Sequence, residues 1–321
     1  MIPDPKRAPE NAQTRKRVSV VVPVYYNAES LPHLFTALQI QESRLAAMDC
    51  DMELIFVDDG SGDQSWAALR AIKMQRPATR LVKLARNFGA IHSSKVGLNY
   101  VTGDCFMWLA ADLQDPPDLV TEMTAHWLNG AKFVLAARIT RGDPLLTKWF
   151  AGLYYRLVRR FIVPDYPPSG FDIMLMDAQL LPYVRDSSKN MNTTLLLYWL
   201  GFKPAIIDYV RPERPYGKSR WTFIKKFNYF VDSLVGFSVL PIRIMSVVGF
   251  IVAGLSFLYG VFIGVSYLFG VRDVPGFPTL AALIAFLLGL VILMLGIIGE
   301  YIWRIFDEIT RRPEVVIDEV E

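Results

Sequence analysis

Hydrophobic and polar positions divide this 321-residue chain into two differently patterned regions. In the first, short apolar runs alternate with stretches of helical period. Residues 18–22 (VSVVV), closed by Pro23, predict a buried strand, and residues 52–58, 80–84 and 105–110 repeat the pattern. Helical spacing runs through 65–74 and 90–100 between them. Strands alternating with helices imply parallel βαβ units, and in an open sheet of that kind ligands bind beyond the carboxyl ends of the strands. The polar clusters fall at those ends: 25–29, 58–63, 86–89 and 112–115. Four loops are thereby expected to converge on one site.

The second region begins after Arg243. Residues 244–271 form 28 consecutive positions without a charge and residues 274–299 another 26, each longer than the ~20 residues needed to cross the hydrocarbon core. Two transmembrane helices are predicted. The competing assignment, two buried core helices, requires helices apolar all round inside a small domain, an uncommon arrangement. Lys225, Lys226 and Arg243 precede the first span, and Arg304, Arg311 and Arg312 follow the second. The loop between carries only Arg272 beside Asp273, so the excess of cations puts both ends in the cytoplasm. Just upstream, Phe223, Phe227, Phe230 and Leu234 recur at helical spacing with Lys225, Lys226 and Asp232 off that stripe. This fits a basic, aromatic helix lying on a membrane surface, or an ordinary core-facing helix.

Composition sharpens the second region more than the first. Hydrophobic residues make up 52% and charged residues 20%, and the mean hydropathy of +0.28 lies on the membrane side of soluble proteins. Lys+Arg 34 against Asp+Glu 31 leaves +3, which excludes the strongly basic footprint of a general nucleic-acid binder. Cys50 and Cys105 have neither disulfide-framework nor zinc-ligand spacing and are expected as buried thiols on strands. The first seventeen residues have no apolar core, so no secretory signal is expected there and the N-terminal domain should stay in the cytoplasm.

Candidate chemistry sits in the strand-end loops. Pro23, Tyr25, Tyr26, Asn27 and Glu29 combine a rigid turn with aromatic and polar groups able to flank a nucleobase. In VDDGSGD (57–63), Asp58 and Asp59 can accept hydrogen bonds from base and ribose, while glycines let the backbone turn before a helix. A plain capped turn, with Asp63 near the helix start, accounts for part of that motif. In AADLQDPP (110–117), Asp112, Gln114 and Asp115 place three oxygen-bearing side chains within four residues. Such donors suit Mg²⁺ or Mn²⁺, which bind one or two carboxylates together with substrate phosphates. An acidic helix cap would explain Asp115 but not Asp112 and Gln114 together.

The order PVYYNAE, VDDGSGD, ARNFG, ADLQDPP, SGFDIMLMD, RPERPYGKS, two apolar spans and GEYIWRIFDEITRRP resembles the family 2 glycosyltransferases that load a sugar onto a polyprenyl phosphate. That group includes dolichyl-phosphate mannose synthase and the bacterial undecaprenyl-phosphate sugar transferases, and the GEYIWRI ending resembles the bacterial branch. The resemblance covers residues 18–313. It implies an α/β fold of GT-A, Rossmann-like type over 18–210, after a flexible cytoplasmic tail at 1–17. An active-site loop with interfacial helices would follow at 211–243, two transmembrane helices at 244–303 and a cytoplasmic tail at 304–321.

The resemblance also implies roles. Pro23, Tyr25 and Glu29 would face the nucleotide, Asp58 would contact the base with Asp59 beside it, and Asp112 and Gln114 would ligate the metal. Arg138 would hold the acceptor phosphate with Lys148 as a second basic position, and Arg214 and Lys218 would close on the diphosphate. Asp115 or Asp172 would orient a sugar hydroxyl. At the position of Ala110 the family usually carries an acidic or small polar residue, so the metal shell here is one protein ligand short. The expected activity is inverting transfer from a nucleotide-sugar, such as UDP-glucose, to polyprenyl phosphate at the cytoplasmic membrane face. The product would be a polyprenyl-phosphate monosaccharide for cell-envelope glycan modification, and the resemblance suggests a homotetramer. A processive polysaccharide synthase shares the nucleotide loops but needs a QxxRW-like motif and more helices. A catalytically silent membrane scaffold is the remaining alternative.

Overall fold

The computed structural model describes residues 15–138, 171–189, 193–210, 240–269, 276–310 and 312–321, with scattered positions between 152 and 167. Strand β1 (Lys16–Val24) lies inside an eight-stranded sheet. Its valines at 18, 20, 21, 22 and 24 are all inaccessible to solvent, as expected for a strand covered on both faces. β2 (Cys50–Asp58) and β4 (Cys105–Trp108) flank it in parallel, and β3 (Arg80–Leu84) adds parallel to β2. Cys50 and Cys105 open β2 and β4 as buried free thiols.

Helices cover both faces. On one, α1 (Leu31–Ala47), α2 (Ser65–Gln75) and α4 (Leu119–Leu128) set Leu34, Leu38, Leu69 and Met123 against Val20, Leu54 and Met107. On the other, α3 (Ala90–Gly97), α5 (Leu181–Arg185) and α6 (Thr193–Trp199) bring Val96, Val184 and Leu197 to Val21, Ile55 and Phe106. α3 approaches so closely that a Cβ on Gly97 would lie 2.3 Å from Val21 Cγ1. Only glycine fits there.

The sheet is mixed. Its order is β7-β5-β6-β4-β1-β2-β3-β8. β6 (Phe171–Asp177) runs antiparallel between β4 and β5 (Phe133–Arg138), and β7 (Ala205–Tyr209) is parallel to β5. β5 and β7 therefore end on the same edge as β1 to β4. The parallel pairing expected for the first four strands holds, and the sheet becomes mixed where β6 inserts, because an apolar run such as FDIMLMD fixes burial and leaves direction to its neighbours.

Two helices follow: α7 (Leu240–Leu268) and α8 (Phe277–Ile309). Their windows Ile242–Ile263 and Phe286–Ile309 have a hydropathy of 2.2 with none of the window buried. Phe250 and Ile292 are 83% and 69% exposed. Core helices would hide these side chains, so the buried-helix alternative fails, and both helices are apolar enough to span a membrane. They pair as a hairpin in which a Cβ on Gly249 would lie 3.1 Å from Met294 Cε. α8 outruns the uncharged stretch through Glu300, Arg304 and Asp307, with Arg304 bonded to Glu300 at 3.1 Å one turn away.

Two expected tails belong partly to the sheet. Lys16 and Arg17 open β1, and β8 (Ile317–Val320) pairs antiparallel with β3. Edge pairing explains β8: Ile317, Asp318 and Val320 are exposed and Glu319 half-buried, so its backbone, which satisfies the open side of β3, holds it in place. The aromatic stripe Phe223–Leu234 lies outside the described residues, as do Lys148, Arg214 and Lys218.

Candidate functional site

The loop after β1 is tied to the loop after β2 by four bonds. The Tyr26 amide donates to Ser61 Oγ at 3.0 Å, the Asn27 amide to Ser65 Oγ at 2.9 Å, the Ala28 amide to Asp63 at 3.4 Å, and the Asp59 amide to the Val24 carbonyl at 2.8 Å. Ser30 Oγ donates to the Ala111 carbonyl at 2.7 Å, joining this loop to the one after β4. Tyr26 has φ of +55° and stacks edge-on with Tyr25 at 4.8 Å. A non-glycine residue in that conformation is strained, and such strain is commonly found at ligand sites. Pro23 is half-buried and Glu29 exposed at the rim.

Asp58 and Asp59 are neighbours in sequence, 0% and 2% exposed, yet differ in their partners. The Phe88 and Gly89 amides donate to Asp59 at 2.7 and 2.9 Å, and Asn87 Nδ2 adds a third bond at 2.9 Å. Asp59 thus holds the loop 86–89. Among the described residues, neither oxygen of Asp58 has a hydrogen-bond partner. Burial pushes both carboxyls above the usual carboxylate range. For Asp59 the amides of Phe88 and Gly89 oppose that shift; for Asp58 the nearby Ser61 does so without reaching hydrogen-bond geometry. A buried carboxylate without a donor costs free energy. Asp58 is the acceptor in this site that a ligand N–H or O–H would satisfy. Gly60, at φ of +65°, lets the two loops meet, since its Cβ would sit 2.5 Å from the Arg86 backbone.

After β4, Asp112 accepts the Gln114 amide at 3.1 Å across a tight turn, with Leu113 at φ of +60° between them. Ala110, Asp112 and Gln114 are all half-buried, so the turn opens to the site. Asp115 is buried, and Tyr209 at the end of β7 donates to it at 3.4 Å. Burial, then the charge of Asp115, holds the Tyr209 hydroxyl well above the usual phenol range. In the register of β5 and β7, Arg138 stands opposite Tyr209, which sets the Arg138 end of β5 on the flank of this turn.

Five of the strand-end residues singled out from sequence, Tyr25, Asp58, Asp59, Asp112 and Gln114, therefore share one sheet edge with Arg138, which the resemblance added. Sequence reasoning missed Tyr209, Ser30 and Ser61. Tyr209 ends the strand AIIDY, and strand ends were already the signal for the other loops. Ser61 lay inside the VDDGSGD motif without being assigned a role, and Ser30 carried no signal, because each acts through a contact made only in the fold.

Among the described residues no group of three His, Cys, Asp or Glu could enclose a metal ion. The Asp112 carboxylate and the Gln114 amide are hard oxygen donors on one turn, and they fit a Mg²⁺- or Mn²⁺-type cation whose shell is completed by phosphate oxygens and water.

The profile of glycosyl transferase family 2 matches residues 19–183, which include both aspartate loops and Arg138. The chain belongs to this family. Among curated relatives of the glycosyltransferase, the uncharacterized glycosyltransferase YkcC of Bacillus subtilis is 34% identical over 93% of this chain and 92% of its own. The SfII prophage-derived bactoprenol glucosyl transferase of Shigella flexneri is 31% identical over 94% and 97%. The similarity to both extends through the membrane-type helices. Mannosyl-3-phosphoglycerate synthase from Rubrobacter xylanophilus, 15% identical with a TM-score of 0.50, covers 68% of this chain and 71% of its own, a likeness of fold. The sheet is that of a GT-A-like glycosyltransferase, and the silent-scaffold alternative loses its basis.

Proposed function

We propose that the protein transfers one sugar from a nucleotide-sugar, a UDP-sugar such as UDP-glucose, to polyprenyl phosphate at the cytoplasmic face of a membrane, with inversion at the anomeric carbon. The observation that carries this reading is one sheet edge bearing the unpaired Asp58, the Asp112–Gln114 turn and Arg138, in a chain that continues into an apolar hairpin. The name of the Shigella relative, which pairs a glucosyl unit with bactoprenol, supports the same acceptor class.

In this mechanism Asp58 accepts a donor N–H or O–H and fixes the nucleotide beside Tyr25 and Glu29. Asp112 and Gln114 would hold a Mg²⁺ or Mn²⁺ ion, which when bound neutralises charge on the diphosphate. Arg138, with Lys148, pairs with the acceptor phosphate, and Arg214 and Lys218 close over the diphosphate. A phosphate monoester has its second pKa near ~6, so its oxygen is already anionic at neutral pH. The residues then need to align acceptor and donor rather than remove a proton. Asp115, which accepts from Tyr209, or Asp172 orients a sugar hydroxyl in this reading.

The proposed topology has both termini cytoplasmic. It is supported by β8, because a strand shared with the catalytic sheet keeps the end of α8 on the sheet's side of the membrane. In Gly276→Cys the thiol should be labelled from outside intact cells, and in Asp318→Cys it should not. The expected assembly is a homotetramer, which light scattering in detergent would test.

The decisive experiment incubates purified protein with polyprenyl phosphate and a panel of radiolabelled nucleotide-sugars. Lipid carrying a single sugar is the expected product. Polymer would favour the processive synthase, and no lipid product from any donor would refute the proposal.

A further inference from the structure

Residues 312–321, downstream of α8, return to the catalytic sheet and bracket one of the site loops. Before the loop 86–89, the Ala85 amide donates to the Val316 carbonyl at 2.9 Å, and Leu84 pairs with Ile317. After it, His92 Nδ1 lies 2.8 Å from one oxygen of Glu314, and Lys95 Nζ donates to the other at 3.1 Å. His92 belongs to the first turn of α3 and packs back on the loop, its Cδ2 being 3.9 Å from a Cβ built on Gly89. The middle of the same loop is held from the site side, through Asp59 and the amides of Phe88 and Gly89. Phe88 and Val315 pack against one core cluster.

These contacts are not ordinary surface ion pairs. The side chains of His92, Glu314 and Lys95 are 29%, 22% and 12% exposed, so solvent screens them poorly. Burial, the largest single influence on Glu314, pushes its carboxyl up, yet the bonds from His92 and Lys95 outweigh it and hold the group below the usual range. Lys95 is further fixed by the Ser187 and Ser188 carbonyls. Upstream, Lys189 holds Asp307 in the last turn of α8 through its carbonyl at 3.0 Å and its carboxylate at 3.2 Å. A continuous set of contacts thus runs from the end of the second membrane-type helix to the loop beside Asp58 and Asp59.

We propose that residues 312–321 form a strap in which Glu314 is a positioning residue: through His92 and Lys95 it sets the loop 86–89, so that nucleotide affinity depends on how the end of α8 is seated. This deepens the proposed function and rests on it for the identity of the ligand. The strap touches no substrate itself. It fixes both ends of a loop whose middle is fixed by Asp59, and releasing one end gives the loop a second set of positions in which the donor fits less well.

The test uses full-length protein in detergent with Glu314→Ala, Glu314→Gln and, as a control on the same strap, Arg70→Ala. Arg70 bonds Glu319 and Glu321 at 2.6 Å on the far end of β8, away from the loop. Hydrogen exchange without ligand reads the loop directly. In Glu314→Ala the Phe88 and Gly89 amides should exchange about tenfold faster or more, Glu314→Gln should fall between, and Arg70→Ala should leave them unchanged. Calorimetry with UDP and with GDP, in Mn²⁺, should show affinity weakened about fivefold or more in Glu314→Ala and unchanged within about twofold in Arg70→Ala. Unchanged exchange at Phe88 and Gly89, or equal effects of Glu314→Ala and Arg70→Ala, would overturn the strap. Wild-type protein that binds neither nucleotide would refute the donor reading instead, while the exchange data would still decide the positioning role.

Discussion

The loops after β2 and β4 bring carboxylates to the same sheet edge under opposite conditions. After β2, two carboxylates are buried, one held by three hydrogen bonds and one without a hydrogen-bond partner among the described residues, Ser61 lying near it. After β4, Asp112 is half-exposed and steadied by its own turn. The first loop is built into the fold and stores a cost, whereas the second keeps Asp112 and Gln114 half-exposed on a turn of hard oxygen donors. Burial without a donor marks a place where a ligand completes the structure, and exposure with a local bond marks one where a ligand adds to it.

The largest effect expected from breaking this contrast is in the open loop. Asp112→Asn keeps the shape and removes the charge, and turnover should fall by about 10²- to 10³-fold with little change in folding stability, as steady-state kinetics and melting would show. In the built-in loop the order reverses. Asp59→Ala leaves the Phe88 and Gly89 amides without acceptors and should cost roughly 2–3 kcal/mol of stability by denaturant titration.

Asp58→Asn sharpens the contrast further, because it should stabilise the protein by roughly 1–2 kcal/mol at neutral pH while weakening nucleotide binding. The sign follows from the raised carboxyl. The folded state favours the protonated form, so the wild-type penalty is present above the folded pKa and is relieved as pH falls toward the ordinary carboxylate value. The advantage of Asp58→Asn should therefore shrink in acid, which melting curves across that range would check. The smallest effect belongs to Tyr209→Phe, which loses one 3.4 Å bond to Asp115. It should cost below about 1 kcal/mol, and its mark should be a rise in the KM for the sugar donor with stability nearly intact.

Much of this was legible in the sequence. Short apolar runs marked β1 to β4 because the strands of a sheet covered on both faces bury most of their side chains, and β3 has the expected bounds, Arg80–Leu84. The uncharged stretches marked α7 and α8 for the same reason in another solvent. β6 was not read as a strand from the sequence, where SGFDIMLMD served only as a family motif, and its antiparallel direction is set by pairing with β4 and β5. β8 gave no signal, as IDEV is short and charged and becomes a strand only against the open edge of β3. In the site, strand ends led to Asp58 and Asp112, and the family resemblance led to Arg138. The division of labour between Asp58 and Asp59 was hidden, because adjacent identical residues differ only in which amides fold back onto them.

The central claim, that the two loops form one donor site completed by its ligand, is tested most directly by titrating Mn²⁺ into the protein with and without UDP, and with GDP in its place. The account predicts weak cation binding to the free protein, clear binding once the matching nucleoside diphosphate is present, and loss of that joint binding in both Asp58→Asn and Asp112→Asn. Tight cation binding without nucleotide, or joint binding that survives either substitution, would contradict it.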